Sequence, residues 1–308
     1  MTGDVRAAVA SLQIGGASID LRRPLLMGIV NATPDSFSDG GQFPTIAARV
    51  ARGVELAEQG ADIVDVGGQS GITGVPEVPV DEEIARVVPV VEGIRTERPG
   101  LLISVDTYRP EVVRAVRDAG ASIVNDISGL LYPEVAEVCG VAGLGLVIMH
   151  TRARPKHKLL DAGMYGSSDD GVVDDVVAIL SERLQETAAR GVPHDATILD
   201  PGPDFAKTPY QTIAVLRGIE RVRALGRPLL LALSRKDFVG AITSKPPRDR
   251  LGGTLAAIGH VAGAPGTIFR VHDVDVVADY LRVADVLAGR AEIPPEPTLP
   301  DHLRHQTG

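Results

Sequence analysis

Eight short apolar runs, each followed by a stretch of helical period, limit the folds open to this chain. The runs fall at residues 25–30, 63–66, 101–105, 122–125, 145–149, 196–199, 228–233 and 267–271. Short runs without polar alternation suit strands buried on both faces. Helical patterns occupy 46–59, 80–95, 110–119, 172–190, 210–225 and 251–264, with weaker ones at 133–138 and 274–287. A strand followed by a helix, eight times over, is the count of a closed (β/α)8 barrel. The sequence therefore predicts the α/β class and a single TIM barrel. An open doubly wound sheet is the alternative, and the even spacing favours closure. The pair Gly15-Gly16 predicts a short hairpin over 12–21 that covers the barrel bottom. The barrel is expected to span 1–290, and 291–308, with Pro294, Pro295, Pro297 and Pro300, to form a proline-rich tail.

A chain of 308 residues that is 44% hydrophobic can bury a large core, and with no tryptophan that core must be mostly aliphatic. Branched aliphatics fill barrel interiors. The net charge of −9 argues against nucleic acid or an anionic membrane as partner. An anionic small molecule would need a local basic pocket. Cys139 is the only cysteine, which excludes an internal disulfide or a multi-cysteine metal site and fits a reducing cytoplasm. No apolar run approaches the roughly 18 residues that span a bilayer, and the first residues lack the basic start and apolar block of a signal peptide. A soluble cytoplasmic protein is the expectation.

Barrel sites lie at the carboxyl ends of the strands, and here every run ends in polar groups. In order these are Asn31, Asp65 followed by Gly67-Gly68-Gln69-Ser70, Asp106, Asn125-Asp126, His150, Asp200, Ser234-Arg235-Lys236, and Arg270 with His272. Taken singly, each is open to a structural reading as a cap, an ion pair or a core histidine. Gathered in one mouth they favour a ligand, because unpaired buried charge is costly. Asp106, Asn125, Asp200 and Lys236 suit a flat heterocycle with an amino-pyrimidinone edge: carboxylates take its N–H groups, and amide and ammonium take its acceptors. Arg270 and His272 could hold a diphosphate, and Asn31 could ligate a Mg²⁺ bridging its oxygens.

The run Met27-Gly28-Ile29-Val30-Asn31-Ala32-Thr33-Pro34-Asp35-Ser36-Phe37-Ser38-Asp39-Gly40-Gly41 resembles the N-terminal signature of the dihydropteroate synthases. Further matches follow in the family's order: Asp65-Val-Gly-Gly68, Ser104-Val-Asp106-Thr107, Val124-Asn125-Asp126, Met149-His150, Asp200-Pro-Gly202, Phe205-x-Lys207, Ser234-Arg235-Lys236 and Arg270-Val-His272. The resemblance covers roughly residues 12–287. It implies condensation of a 6-hydroxymethyl-dihydropterin diphosphate with p-aminobenzoate, releasing diphosphate, with Mg²⁺ as cofactor and a homodimer as assembly. It implies a pterin held by Asp106, Asn125, Met149, Asp200, Phe205 and Lys236, and p-aminobenzoate near Ser234 and Arg235. Diphosphate and metal would be held by Asn31, Arg270 and His272. The expected catalytic residues are Lys236, Asp106, Arg270 and His272.

The second loop departs from the family. Its usual Gly-Gly-Glu-Ser-Thr-Arg-Pro-Gly reads Gly67-Gly68-Gln69-Ser70-Gly71-Ile72-Thr73-Gly74 here. Isoleucine cannot donate a hydrogen bond, and a lost charge-assisted contact costs about 1.5–3 kcal/mol. That is roughly one to two powers of ten in rate. Arg152, Arg154 or Lys156, on a long loop over 151–171, are candidates to substitute; that loop reads as a lid or as a solvated insertion. Asp204, Ala206 and Ala232 replace glycines, and Tyr210-Gln211-Thr212 lacks the usual His-Asn. Two alternatives follow. One is a pterin-binding paralogue that performs no condensation or uses another amine, favoured by Gly71-Ile72. The other is a pterin-dependent methyltransferase, disfavoured by the complete Ser-Arg-Lys and Arg-Val-His matches.

Overall fold

The computed structural model describes residues 10–32, 45–69, 74–166, 168–293 and 304. An antiparallel hairpin of β1 (Ser11–Ile14) and β2 (Ala17–Asp20) precedes eight parallel strands. These are β3 (Leu25–Asn31), β4 (Ile63–Gly67), β5 (Leu102–Asp106), β6 (Ile123–Asp126), β7 (Gly145–Met149), β8 (Thr197–Asp200), β9 (Leu229–Leu231) and β10 (Thr267–Val271). They close in sequence order, β10 pairing with both β9 and β3. The expected TIM barrel is the observed one, and no strand boundary differs from expectation by more than two residues.

The helices lie between the strands: α1 (Ile46–Glu58), α2 (Val80–Glu97), α3 (Pro110–Asp118), α4 (Glu134–Ala142), α5 (Asp169–Ala189), α6 (Pro209–Arg217), α7 (Ile219–Arg223), α8 (Asp237–Thr243), α9 (Leu251–Val261) and α10 (Val274–Leu287). The single helix expected over 210–225 is split at Gly218. A side chain there would meet Val173 Cγ2 at 2.9 Å, so α5 packs too closely for anything but glycine. The seven-residue α8 was not anticipated; it is shorter than the period that reveals a helix. Among the described residues no helix is long and apolar enough to cross a membrane.

The strand period of two sorts every side chain. Leu26, Val64, Val66, Ile103, Val105, Leu199, Leu229, Leu231 and Phe269 face outward and pack with Leu56, Val87, Val215 and Val274 of the helices. The intervening residues face the barrel axis. At the amino end these are Leu25, Met27, Ile63, Ile123, Val147, Ile198, Leu230 and Ile268, sealed by Leu12, Ile14 and Leu21 of the hairpin. The predicted plug is therefore real, and its cause is the alternation Leu12-x-Ile14. One or two steps further along the same inner faces, the residues become polar.

Candidate active site at the carboxyl ends of the strands

That polar layer is a connected cluster. Arg270 of β10 donates through Nε to Asp65 Oδ2 at 2.7 Å and through Nη2 to Asp106 Oδ2 at 3.1 Å. Asn125 donates to the same Asp65 oxygen at 3.2 Å. Asp65 lies within β4, as within the apolar run 63–66, and is fully buried. The ion pair with Arg270 offsets the cost of burying that carboxylate. Asp65 Oδ1 and Asn125 Oδ1 are buried without a protein partner, the condition of a polar surface built for a ligand. Burial pushes Asp106 up to about 7, opposed by Arg270 and assisted by the charges of Asp65 and Glu83.

The opposite wall comes from β8 and the turn after β9. Asp200 accepts from the Gly202 amide at 2.7 Å, and burial raises its pKa against the pull of that bond and of Lys236. Lys236 is drawn below the ordinary lysine value by burial, opposed by Asp204 and Asp200. Its Nζ stands 4.5 Å from the centroid of the Phe205 ring, a cation–π distance. Met149, 1% exposed, closes β7 beside them. Arg250 donates to the carbonyls of Arg235 and Lys236 and so pins this turn. Nothing in its local sequence announced that role.

His272 and Ser234 are brought together: the His272 amide donates to Ser234 Oγ at 3.4 Å, and its Nδ1 lies 3.0 Å from the same oxygen. With the hydroxyl proton directed at Nδ1, the ring presents Nε2–H. Burial, then the cations Arg235, Arg270, Lys236 and Arg52, lower His272 to about 3, so it is neutral. Arg235, in left-handed backbone (φ 61°), turns its guanidinium to Asp273 at 2.7 Å. Asn31 ends β3 beside Gly67. Two expected residues behave otherwise: Asp126 folds back on Ser128, and His150 points outward to Asp175 and Lys207.

Of the second loop, Ser70 to Thr73 lie outside the described residues, as do residues 33–44 of the first loop and the tail prolines; the Gly71-Ile72 reading concerns them. The described flanks are tightly held. A side chain at Gly68 would strike Val87 at 2.7 Å. Gln69 donates to Glu83 Oε2 at 2.6 Å, and Glu83 also receives Thr107 at 2.7 Å and Arg109 at 3.0 Å. Burial raises Glu83. This carboxylate, hidden in the helical pattern of α2, was missed. The only available signal was an acidic residue on the apolar face of a helix.

The segment after β7 is anchored at three points, although most of its described residues are exposed or half-exposed. The Lys156 carbonyl accepts from Gly74 at 2.9 Å, tying it to the second loop. Tyr165 donates to the Ala206 carbonyl at 2.9 Å, and Gln211 to the Asp161 carbonyl at 3.1 Å. Of the three candidate substitutes for the lost arginine, Arg152 is engaged with Asp175. Lys156 adds its positive field to Asp106.

Comparison with known proteins agrees with this geometry. A model of the pterin binding enzyme family matches residues 27–272. The chain is 38% identical to the dihydropteroate synthase of Synechocystis sp. over 269 residues, covering 86% of this chain and 91% of that protein. It is 41% identical to inactive dihydropteroate synthase 2 of Mycobacterium leprae over 276 residues, covering 89% and 94%. The solved Xanthomonas albilineans dihydropteroate synthase with 4-aminobenzoic acid superposes with a TM-score of 0.80 at 37% identity, over 92% of this chain and 99% of that one. By sequence and fold alike, the chain belongs to the pterin binding enzymes and, among them, to the dihydropteroate synthase family, which includes both synthases and inactive relatives.

Proposed function

We propose that this chain is a transferase that binds a 6-hydroxymethyl-dihydropterin diphosphate and condenses it with p-aminobenzoate. The observation that carries the reading is the convergence of Asp106, Asn125, Asp200 and Lys236 on one mouth, with Phe205 facing Lys236. In this reading Asp106 and Asp200 accept pterin N–H groups, Asn125 and Lys236 satisfy its acceptors, and Met149 and Phe205 flank the ring plane. Arg270 and the neutral His272, through Nε2–H, hold the diphosphate. Ser234 and Arg235 lie toward p-aminobenzoate. The amine attacks the exocyclic CH₂ as the C–O bond to diphosphate breaks, and the amine proton leaves to solvent or to the diphosphate. Catalysis is then positioning plus stabilisation of the leaving group.

Mg²⁺ suits this donor set in a particular way. Among the described residues no group of three or more His, Cys, Asp or Glu gathers to hold an ion. Mg²⁺ commonly takes one or two protein oxygens and completes its shell with water and substrate phosphates. Asn31 offers one such oxygen; the ion would neutralise charge on the leaving group. A homodimer and a cytoplasmic location belong to the same proposal, on family resemblance and on the single cysteine.

A second reading, pterin binding without condensation, draws on Ile72 and on the 41% identity to an inactive relative. Purified protein with Mg²⁺ and the pterin diphosphate, with and without p-aminobenzoate, separates the two. Dihydropteroate that requires p-aminobenzoate supports the synthase. Pterin binding with no dihydropteroate supports the second reading, and no pterin binding removes both.

A further inference from the structure

Beneath the proposed pterin wall lies a charged group that touches no ligand position. Lys207 is 1% exposed, one of the largest fully buried side chains among the described residues. Its Nζ has three close acceptors: His150 Nδ1 at 2.8 Å, the Gly202 carbonyl at 3.0 Å and the Phe205 carbonyl at 3.1 Å. Its three protons serve these three, with the His150 carbonyl a longer fourth contact at 3.4 Å, an arrangement that makes a buried ammonium tolerable. Because Nδ1 faces an ammonium it must accept, so Nε2 carries the ring proton and gives it to Asp175 Oδ2 at 2.9 Å. Burial and the Lys207 charge hold His150 down to about 4, consistent with a neutral ring. The counter-charge to the sealed lysine is thus shared: Asp200 supplies the larger part, and Asp175, near the surface where Arg152 also meets it, supplies another through His150.

What the ammonium grips is the loop between Asp200 and Lys207. Gly202, Asp204 and Ala206 all have left-handed backbone, at φ 65°, 65° and 51°. Two of these are not glycine, so the loop is locally unfavourable and needs external support. A side chain at Gly202 would fall 2.1 Å from the His150 carbonyl, which shows how closely the loop is drawn onto this network. The loop carries Phe205, and its Gly202 amide fixes the Asp200 carboxylate.

We infer that Lys207, held as an ammonium by Asp200 and, across His150, by Asp175, is a positioning residue that sets the loop bearing Phe205 and the Asp200 contact. Its relevance to ligand rests on the pterin reading; the clamp itself does not. Loss of the proton would leave two donors for three acceptors and release a carbonyl. Burial draws Lys207 down to about 7, against Asp200, Asp175 and Asp204 and with the help of Lys236. The loop should therefore loosen on the alkaline side. His150 stays neutral there, and the Tyr165 phenol, raised by burial, stays protonated.

Two variants test this. In ligand-free Lys207→Met, amide exchange over residues 202–206 should quicken about tenfold while the strand amides stay slow, and pterin affinity should fall about tenfold. Asp175→Asn, near the surface, keeps the hydrogen bond to His150 and removes only the charge; it should move the alkaline limb of pterin affinity to lower pH by about one unit. If Lys207→Met does not fold, Asp175→Asn decides alone. Unchanged loop exchange in Lys207→Met, or an unmoved alkaline limb in Asp175→Asn, overturns the clamp. Faster loop exchange in a protein that binds no pterin removes the pterin reading and leaves the clamp standing.

Discussion

The two ends of one barrel are built from the same strands and the same period, yet obey opposite rules. At the amino end the inward residues Met27, Ile63, Ile123, Ile198 and Ile268 meet the hairpin and exclude water. At the carboxyl end Asp65, Asp106, Asn125 and Arg270 occupy the same inward faces and form a charged network. The first layer stabilises the fold by burying apolar area. The second sets aside that gain for groups that are satisfied only in part by each other. Stability and recognition are separated by one step of a strand, so substitutions at the two levels should separate as well.

The largest effect is expected at the upper layer. Lys236→Ala removes the ammonium facing Phe205 and Asp200 and should weaken pterin binding by a hundredfold or more, since a charge-assisted contact and a cation–π contact are lost together. Its unfolding midpoint should not fall. Calorimetric affinity equal to that of the unaltered protein would remove the pterin-pocket assignment.

The lower layer should answer in reverse. Leu12, fully buried in the hairpin plug, belongs to the apolar cluster of the lower layer with Met27, Ile63 and Ile268. Leu12→Ala should cost about 2–5 kcal/mol of stability, read from urea unfolding, with pterin affinity within about twofold. A large loss of affinity in folded protein would mean that plug and mouth are coupled, and the separation drawn above would fail.

The same contrast explains what could be read from sequence. Strands were legible because an inward and an outward face are both apolar, leaving runs that period and length define. The site was legible where a polar residue interrupts or ends such a run, as at Asp106, Asn125 and Arg270. It was not legible where partners come from distant elements. Glu83 looks like one more acidic residue at the start of α2, yet it gathers Gln69, Thr107 and Arg109. His150 ends its strand as Asp200 does, but its ring turns outward to Asp175, and only the packing of α5 against β7 decides that. The break at Gly218 inside the helical pattern over 210–225 was not legible, because the side chain it packs against, Val173, lies 45 positions away in sequence.

The second loop sharpens the comparison within the upper layer itself, between a retained pterin wall and an altered partner side. Ile72→Arg with Gly71→Thr should raise turnover with p-aminobenzoate by roughly tenfold, leaving pterin affinity unaltered. Equal or lower rates would show that this loop is not what limits condensation.

The mildest effect concerns protons. Asp106 is raised to about 7, chiefly by burial, and its ionised form accepts an N–H from the pterin edge more strongly than the neutral acid does. Affinity should therefore climb with pH through that value: at pH 6 about a tenth of the carboxyl is ionised, so binding should be weaker than on the plateau by up to about tenfold. The linkage to stability has the opposite sign. A carboxyl whose folded pKa exceeds its unfolded value of 3.8 binds more protons when folded, so its contribution declines between pH 4 and 7 and is constant above. Asp106→Asn should abolish the acid limb of binding and flatten that part of the stability profile together. Either change without the other would separate the group that titrates from the group that binds, and would move the assignment to a neighbour such as Asp200.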